Sequence, residues 1–292
     1  MSTRSLVINH TLNLFSTLLA VGLGLGFYIY SIRTLTKWIP NPTTIASQAS
    51  LGFGAVNVAT LLNWEPPKSG LAGLLSNVLL ANMPQLLISA VYLMYNALFT
   101  NMALANEWSG FACHRKGLRV SQNPNGQQRS SYSLQLPVRI AMPLMIASAT
   151  LHWLIASSLF LVDIEEYGWQ SKTGLYVFDP NQLSGLNDGK LYNFTCGYSP
   201  LPILLAVVLG VGLLVAVILT GFRRLQSEMP VAGSSSLAMS AACHPETEEV
   251  DNEDVAEREL LWGAIKANVG EVGHCSFSSR QVYPPQHGML YQ

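Results

Sequence analysis

The chain has 292 residues, of which 11% are charged and 49% hydrophobic, and a formal net charge of −1. Soluble proteins usually carry about a quarter charged residues, so an ordinary soluble domain is a poor fit. The near-zero net charge averages a basic loop with an acidic tail and says little about partners.

The charges cluster and leave four charge-free windows, 5–32, 69–106, 140–162 and 191–222. Crossing about 30 Å of hydrocarbon takes roughly 20 apolar residues, and each window can supply them. The expected fold is an all-α membrane protein, a four-span transmembrane helical bundle with a small cytoplasmic C-terminal tail. Its organising stretch is a polar loop at 107–139, with Arg115, Lys116, Arg119, Arg129 and Arg139 against the single acid Glu107. A basic loop between two apolar segments reads as cytoplasmic. The expected order is then a first span at 1–34, an exoplasmic loop at 35–72, a second span at 73–104 and the basic loop at 105–137. A third span at 138–162, an acidic exoplasmic loop at 163–200, a fourth span at 201–222 and the tail at 223–292 complete it.

In the first span, Arg4 precedes an apolar run over 6–32. The run is far longer than the ~7–15 residues of a signal-peptide core, so an uncleaved span is expected. Gly22 and Gly26 have small-xxx-small spacing for a close helix neighbour. Together with Gly24 they sit inside a span, where a phosphate has no access. Asn9, His10 and Asn13 bring polar groups to its first turns, and Arg33, Lys37 and Trp38 mark its exit. In the following loop, 45–62 is apolar but broken by Gly52 and Gly54. That favours a loop folded over the bundle, with an interfacial or re-entrant segment as the alternative.

The second span carries Asn82, Gln85, Ser89, Tyr92 and Asn96 at intervals of three and four, which puts them on one stripe. Amides facing lipid leave donors and acceptors unpaired, so the stripe is expected to face protein or water. It makes either interhelical hydrogen bonds or a polar pathway. The third span holds one titratable group, His152, expected to share a polar interior with the stripe. The acidic loop has five acids against two lysines over 163–190, then the glycosylation candidate Asn193 in Asn193-Phe194-Thr195. The fourth span is uniformly apolar, has Ala206 and Gly210 at packing spacing and ends in Arg223-Arg224. The tail opens with an acidic linker at 246–259. Beyond it, 260–262 and 275–283 have short-strand character and suit a hairpin docked on the cytoplasmic loops.

Three cysteines sit beside histidines, as Cys113-His114, Cys243-His244 and His274-Cys275. Zinc patterns space their ligands by two to five residues, so no metal and no other cofactor is expected. Cys113 is juxtamembrane and also fits palmitoylation. Cys196 stands alone on its side, so any disulfide partner is expected outside the chain.

Several segments form a recognisable set. They are Leu79-Leu80-Ala81-Asn82-Met83-Pro84-Gln85, Arg115-Lys116-Gly117-Leu118-Arg119-Val120-Ser121, Gln128-Arg129-Ser130 and Leu134-Gln135-Leu136-Pro137. Leu151-His152-Trp153-Leu154, Ala241-Ala242-Cys243-His244-Pro245 and His274-Cys275-Ser276-Phe277-Ser278 belong with them. The set resembles the C-terminal part of a family of large fungal multi-pass membrane proteins, known mainly by an N-terminal domain of unknown function. The resemblance implies membrane residence and a fungal source, and it carries over no catalytic or binding residue. The family's N-terminal half is missing here, which reads as a shortened member or a partial gene.

The functional expectation is a non-enzymatic scaffold or accessory subunit in the plasma membrane or an endomembrane. Its expected partners are the lipid bilayer and other spans or further copies of the chain, with no nucleic acid. The alternative is a transporter or channel component built on Asn82, Gln85, Tyr92, Asn96 and His152. Enzymatic use of the Cys/His pairs lacks nucleophile–base spacing.

Overall fold

The computed structural model describes residues 3–62, 70–132, 135–164, 168–170, 175–177, 193–223, 225–227, 229, 231, 236–243, 255–266, 272–286 and 291. Four long helices dominate: α1 (Thr3–Leu35), α3 (Gly70–Cys113), α4 (Val138–Ser158) and α5 (Pro200–Gly221). All four are long and apolar enough to cross a membrane, by length and composition. Pro84 lies inside α3 without ending it. Two short helices, α2 (Ile45–Ser50) and α6 (Ser236–Ala242), lie outside them.

The expected all-α fold is overturned, because strands fill the connections. They are β1 (Lys116–Gly117), β2 (Arg119–Val120), β3 (Arg129–Ser130), β4 (Leu159–Ile164), β5 (Gly168–Gln170), β6 (Leu175–Val177), β7 (Asn193–Tyr198), β8 (Glu259–Lys266) and β9 (His274–Ser278). The reason is clearest at the end of the expected third span. α4 stops at Ser158, and Leu159-Phe160-Leu161-Val162-Asp163-Ile164 continues as β4. Phe160, Val162 and Ile164 suit a strand, and antiparallel β7 is there to take the ladder, from Leu159 opposite Tyr198 to Ile164 opposite Asn193. The chain folds as two compact units, and the long helices contribute segments to both.

One unit comprises Ser16–Tyr92 and Ile146–Val215. Here α1 and α5 pack closely at glycines. A Cβ on Gly24 would meet Val207 at 3.1 Å, and one on Gly210 would meet Val21 at 3.1 Å. Gly22 and Gly26 face open space, so Gly24 rather than the expected pair makes the close approach. The β4–β7 ladder gains a bridge from Leu61 to Gly197, and β5 pairs antiparallel with β6. The core groups Leu35, Leu51, Leu62, Ala81, Leu159, Tyr198 and Ile203. The loop at 39–62 contains α2 and a short 3-10 turn, Val58–Thr60, both too short to span.

The other unit comprises Met1–Phe15, Leu93–Met145 and Ala216–Gln292. Its sheet has the order β1-β8-β9, antiparallel throughout. The expected tail hairpin is thus present as β8 and β9, and the interhelical loop adds β1 to it. Under the sheet, Trp108 and Phe111 from the end of α3 join Trp262 and Phe277. Ring centroids lie 5.3 Å apart for Trp108–Trp262 and 4.9 Å apart for Trp108–Phe277. Aromatic pairs at such distances add roughly 0.5–1.5 kcal/mol beyond their buried area. The acidic linker at 246–254 lies outside the described residues.

Candidate functional site

The stripe on α3 sits at the border of the helix's buried face. That face is made by Asn77, Ala81, Tyr95 and Leu98. Asn82 and Asn96 are exposed, and Gln85, Ser89 and Tyr92 are half-buried. Part of the polarity is satisfied within the helix. The Asn82 Nδ2 donates to the Val78 carbonyl at 2.8 Å, and the Ser89 hydroxyl donates to the Gln85 carbonyl at 2.9 Å.

His152 is half-buried on α4 between buried Leu151 and exposed Trp153. Among the described residues it makes no hydrogen bond to Asn82, Gln85 or Tyr92. The stripe and His152 are thus not joined by a direct hydrogen bond among the described residues. Interior positions went to side chains that fill volume, while short polar groups could bond their own helix backbone.

Sequence reading passed over the polar group that is deeply buried on α3. Asn77 is 1% exposed. Its Nδ2 donates to the carbonyls of Gly73 at 2.8 Å and Phe194 at 3.3 Å. The Cys196 thiol donates to the Asn77 carbonyl and to its Oδ1, both at 3.5 Å. Asn77 lies five residues before Asn82, outside the interval of three or four that defines the stripe, so only its residue type pointed to it. Cys196 is as buried as Asn77, and burial pushes its thiol above the ordinary range. Cys196 is a free thiol, enclosed in the fold.

Around this pair the loop at 39–62 is tied down. Gln48 is fully buried, and its Nε2 donates to the Tyr28 hydroxyl at 2.9 Å and the Pro42 carbonyl at 3.1 Å. The Ser199 hydroxyl donates to the Gly52 carbonyl at 2.8 Å, and the Leu62 N–H to the Cys196 carbonyl at 2.8 Å. Tyr198 shares a 2.5 Å hydrogen bond with Thr34. Burial raises the Tyr198 phenol, and the Thr34 bond partly offsets this. Asn193 stands opposite Ile164 in the ladder, its side chain outside the described residues, while the sequon's Thr195 hydroxyl donates to the Leu62 carbonyl at 3.2 Å.

In the tail-bearing unit, the single acid of the basic loop holds two of its arginines. The Arg119 guanidinium pairs with both Glu107 oxygens, at 2.6 Å from Nε to Oε1, and Arg129 lies 3.6 Å from the same carboxylate. Arg119 and Arg129 are direct partners in the β2–β3 ladder. Like charges placed opposite each other repel, and the Glu107 carboxylate offsets that. Arg115 donates to the carbonyls of Ser279 and, at 3.1 Å, Arg280. At the helix ends, the His10 Nε2 lies 3.0 Å from the Val217 carbonyl.

The Cys/His pairs differ in exposure. Cys113, His114 and Cys243 are exposed, and Cys275 is buried with its thiol pushed up to about 11 by desolvation. His244 lies outside the described residues. Among the described residues, no three His, Cys, Asp or Glu side chains converge on a metal-sized site.

No curated protein and no solved structure matches this chain. A family-level match falls on the body of the chain, and nothing in it supports placing the family's domain upstream of the first helix. Over residues 9–272 the chain belongs to the family described as "Domain of unknown function (DUF8419)".

Proposed function

We propose that this chain is a multi-pass integral membrane protein that works without catalysis, as a scaffold or accessory subunit packing against other membrane spans. The observation that carries this reading is the pair of exposed amides on α3. Asn82 and Asn96 sit among exposed Leu79, Met83, Leu86 and Leu93. The Asn82 Nδ2 is already bonded to the Val78 carbonyl, but in hydrocarbon each amide group still without a partner costs several kcal/mol. A neighbouring span offering a polar side chain removes that cost, at a gain of roughly 0.6–2 kcal/mol per contact. The four apolar helices support membrane residence, in the plasma membrane or an endomembrane, and the sequence resemblance supports a fungal source. The excess of basic residues at 107–139 favours a cytoplasmic position for that loop and the tail, with the segment at 163–190 opposite.

The test compares Asn82→Leu and Asn96→Leu with the native chain by mass in mild detergent and by cross-linking in native membranes. Loss of an associated species with the fold intact supports the reading. An unchanged assembly with altered solute flux in vesicles would replace it by the transport alternative. For topology, cysteines placed at Asn125 and Asn181 are labelled with an impermeant reagent on intact cells. Labelling at Asn125 alone would invert the assignment.

A further inference from the structure

We propose that residues 38–58 form an interfacial collar whose apolar face is covered by lipid, in the headgroup layer around the last turns of α4. The proposal rests on the membrane reading above. Between Lys37 and Glu65 the chain carries no charged residue. Most of its large apolar side chains point outward: Trp38 is 66% exposed, Ile45 67%, Val56 63% and Val58 77%, while Leu51 sits in the core. Of its polar side chains Gln48 is fully buried, while Asn41, Thr43, Thr44 and Ser50 are exposed; the Thr44 and Ser50 hydroxyls donate locally, to the Asn41 carbonyl at 3.3 Å and the Ser47 carbonyl at 2.8 Å.

Its backbone is also largely closed on itself. The Thr44 hydroxyl accepts from the Ser47 N–H at 3.2 Å, and the Asn57 side chain accepts from the Ala59 N–H at 3.0 Å. Turn bonds run from Gly52 N–H to the Ala49 carbonyl at 3.0 Å and from Thr60 N–H to the Asn57 carbonyl at 3.0 Å. A loop in water ordinarily displays charged side chains, and this segment has none. An uncharged segment with its backbone closed by local bonds and apolar side chains displayed is what a bilayer boundary selects.

Two contacts set the level of the segment and make it continuous with a helix face. The Phe53 ring stacks on Trp153 of α4 at 5.0 Å, and Trp153 is itself 59% exposed. Gly54, at φ +67, backs onto Ser157, where a Cβ would lie 3.2 Å from the serine's. The loop's apolar surface therefore runs on from the outer turns of an apolar helix. Exposed Trp38 and Trp153 are of the residue type that anchors at a membrane–water boundary. With only six residues in α2, the segment can lie on that boundary but cannot cross the bilayer.

The test uses the full chain carrying Cys113→Ser and Cys243→Ser, reconstituted in phosphatidylcholine vesicles. Spin labels are placed one at a time at Val58→Cys, at Leu219→Cys on exposed α5 surface, and at Asn125→Cys in an exposed polar loop. Val56→Cys serves as a second collar position if the first variant is unstable. Collision with oxygen and with a nickel chelate is measured at each. The expected result is a gain in oxygen access and a loss of nickel access at Val58 relative to Asn125. Nickel access at Val58 equal to that at Asn125, with Leu219 shielded, overturns the collar and leaves the membrane reading standing. A Val58 label shielded from both reagents also overturns it, since protein then covers the face. Nickel access at Leu219 overturns the membrane reading and the collar with it.

Discussion

Gly117→Ala tests whether the interhelical loop and the tail are one folded body. A Cβ at Gly117 would lie 1.8 Å from the Gln127 carbonyl oxygen and 2.8 Å from its carbon, and both are backbone atoms. That carbonyl must withdraw to at least 3.0 Å, and the turn around Gly126, at φ +55, must move with it. Gln127 ties this turn to the tail. Its N–H donates to the Glu257 carbonyl at 2.7 Å, and its Oε1 accepts from the Glu259 N–H at 3.0 Å. Losing both bonds costs roughly 1–3 kcal/mol, and overpacking adds about 1–3 kcal/mol. The expected total is about 2–6 kcal/mol.

The assay is thermal unfolding of the whole chain in detergent, followed by tryptophan fluorescence, with hydrogen exchange of the amides of β8 as the local reading. Gly212→Ala is the control, because a Cβ there meets nothing within 4 Å. In a helix that change should be neutral or stabilising by up to about 1 kcal/mol. If Gly117→Ala unfolds with the native chain and β8 stays protected, the reasoning is wrong.

Other outcomes follow from the same structure. Asn77→Leu should strand the Phe194 carbonyl, lower stability by roughly 1–3 kcal/mol and open Cys196 to alkylation; an unreactive Cys196 in a fully stable variant would contradict this. In the native chain, alkylation at neutral pH should modify Cys113 and Cys243 and spare Cys196 and Cys275 until unfolding. Because Cys275 is raised from 9.0 to about 11, the folded state keeps a proton that the unfolded state loses. Its contribution is therefore full below pH 9.0 and declines as pH rises towards 11, which denaturant titrations across that range would detect. Glu107→Gln should leave Arg119 and Arg129 facing each other, at a cost of roughly 1–3 kcal/mol. Added salt should recover part of that loss by screening their repulsion, and a variant insensitive to salt would speak against it.

The helices were legible because exclusion of charge over some twenty residues is a strong signal, and β8 and β9 because their short apolar runs are bounded by turn residues. At the end of α3 the charge pattern reads Glu107 as the start of a loop, whereas it is helical and pairs with Arg119 and Arg129 from later in the chain, a contact no local pattern encodes. Asn193 starts β7 rather than lying in a free loop, because the run after Ser158, which reads as the end of a span, is its partner strand. Asn82, Gln85, Tyr92, Asn96 and His152 were found by period and type. Which side of a helix is buried depends on its neighbours, so their common interior could not be derived from one helix.

The last turns of α3 have a consequence for synthesis. Trp108 packs on Trp262 and Phe277, which the ribosome adds more than 150 residues later. At about 5–20 residues per second, that interval is on the order of 10 to 30 s. Throughout it, the apolar end of α3 has no sheet to cover it, and β1 lacks the strand it pairs with. The nascent chain is thus most open to aggregation or a holding chaperone after its helices are complete and before Phe277 emerges. A stop codon that removes β9 should leave that state permanent.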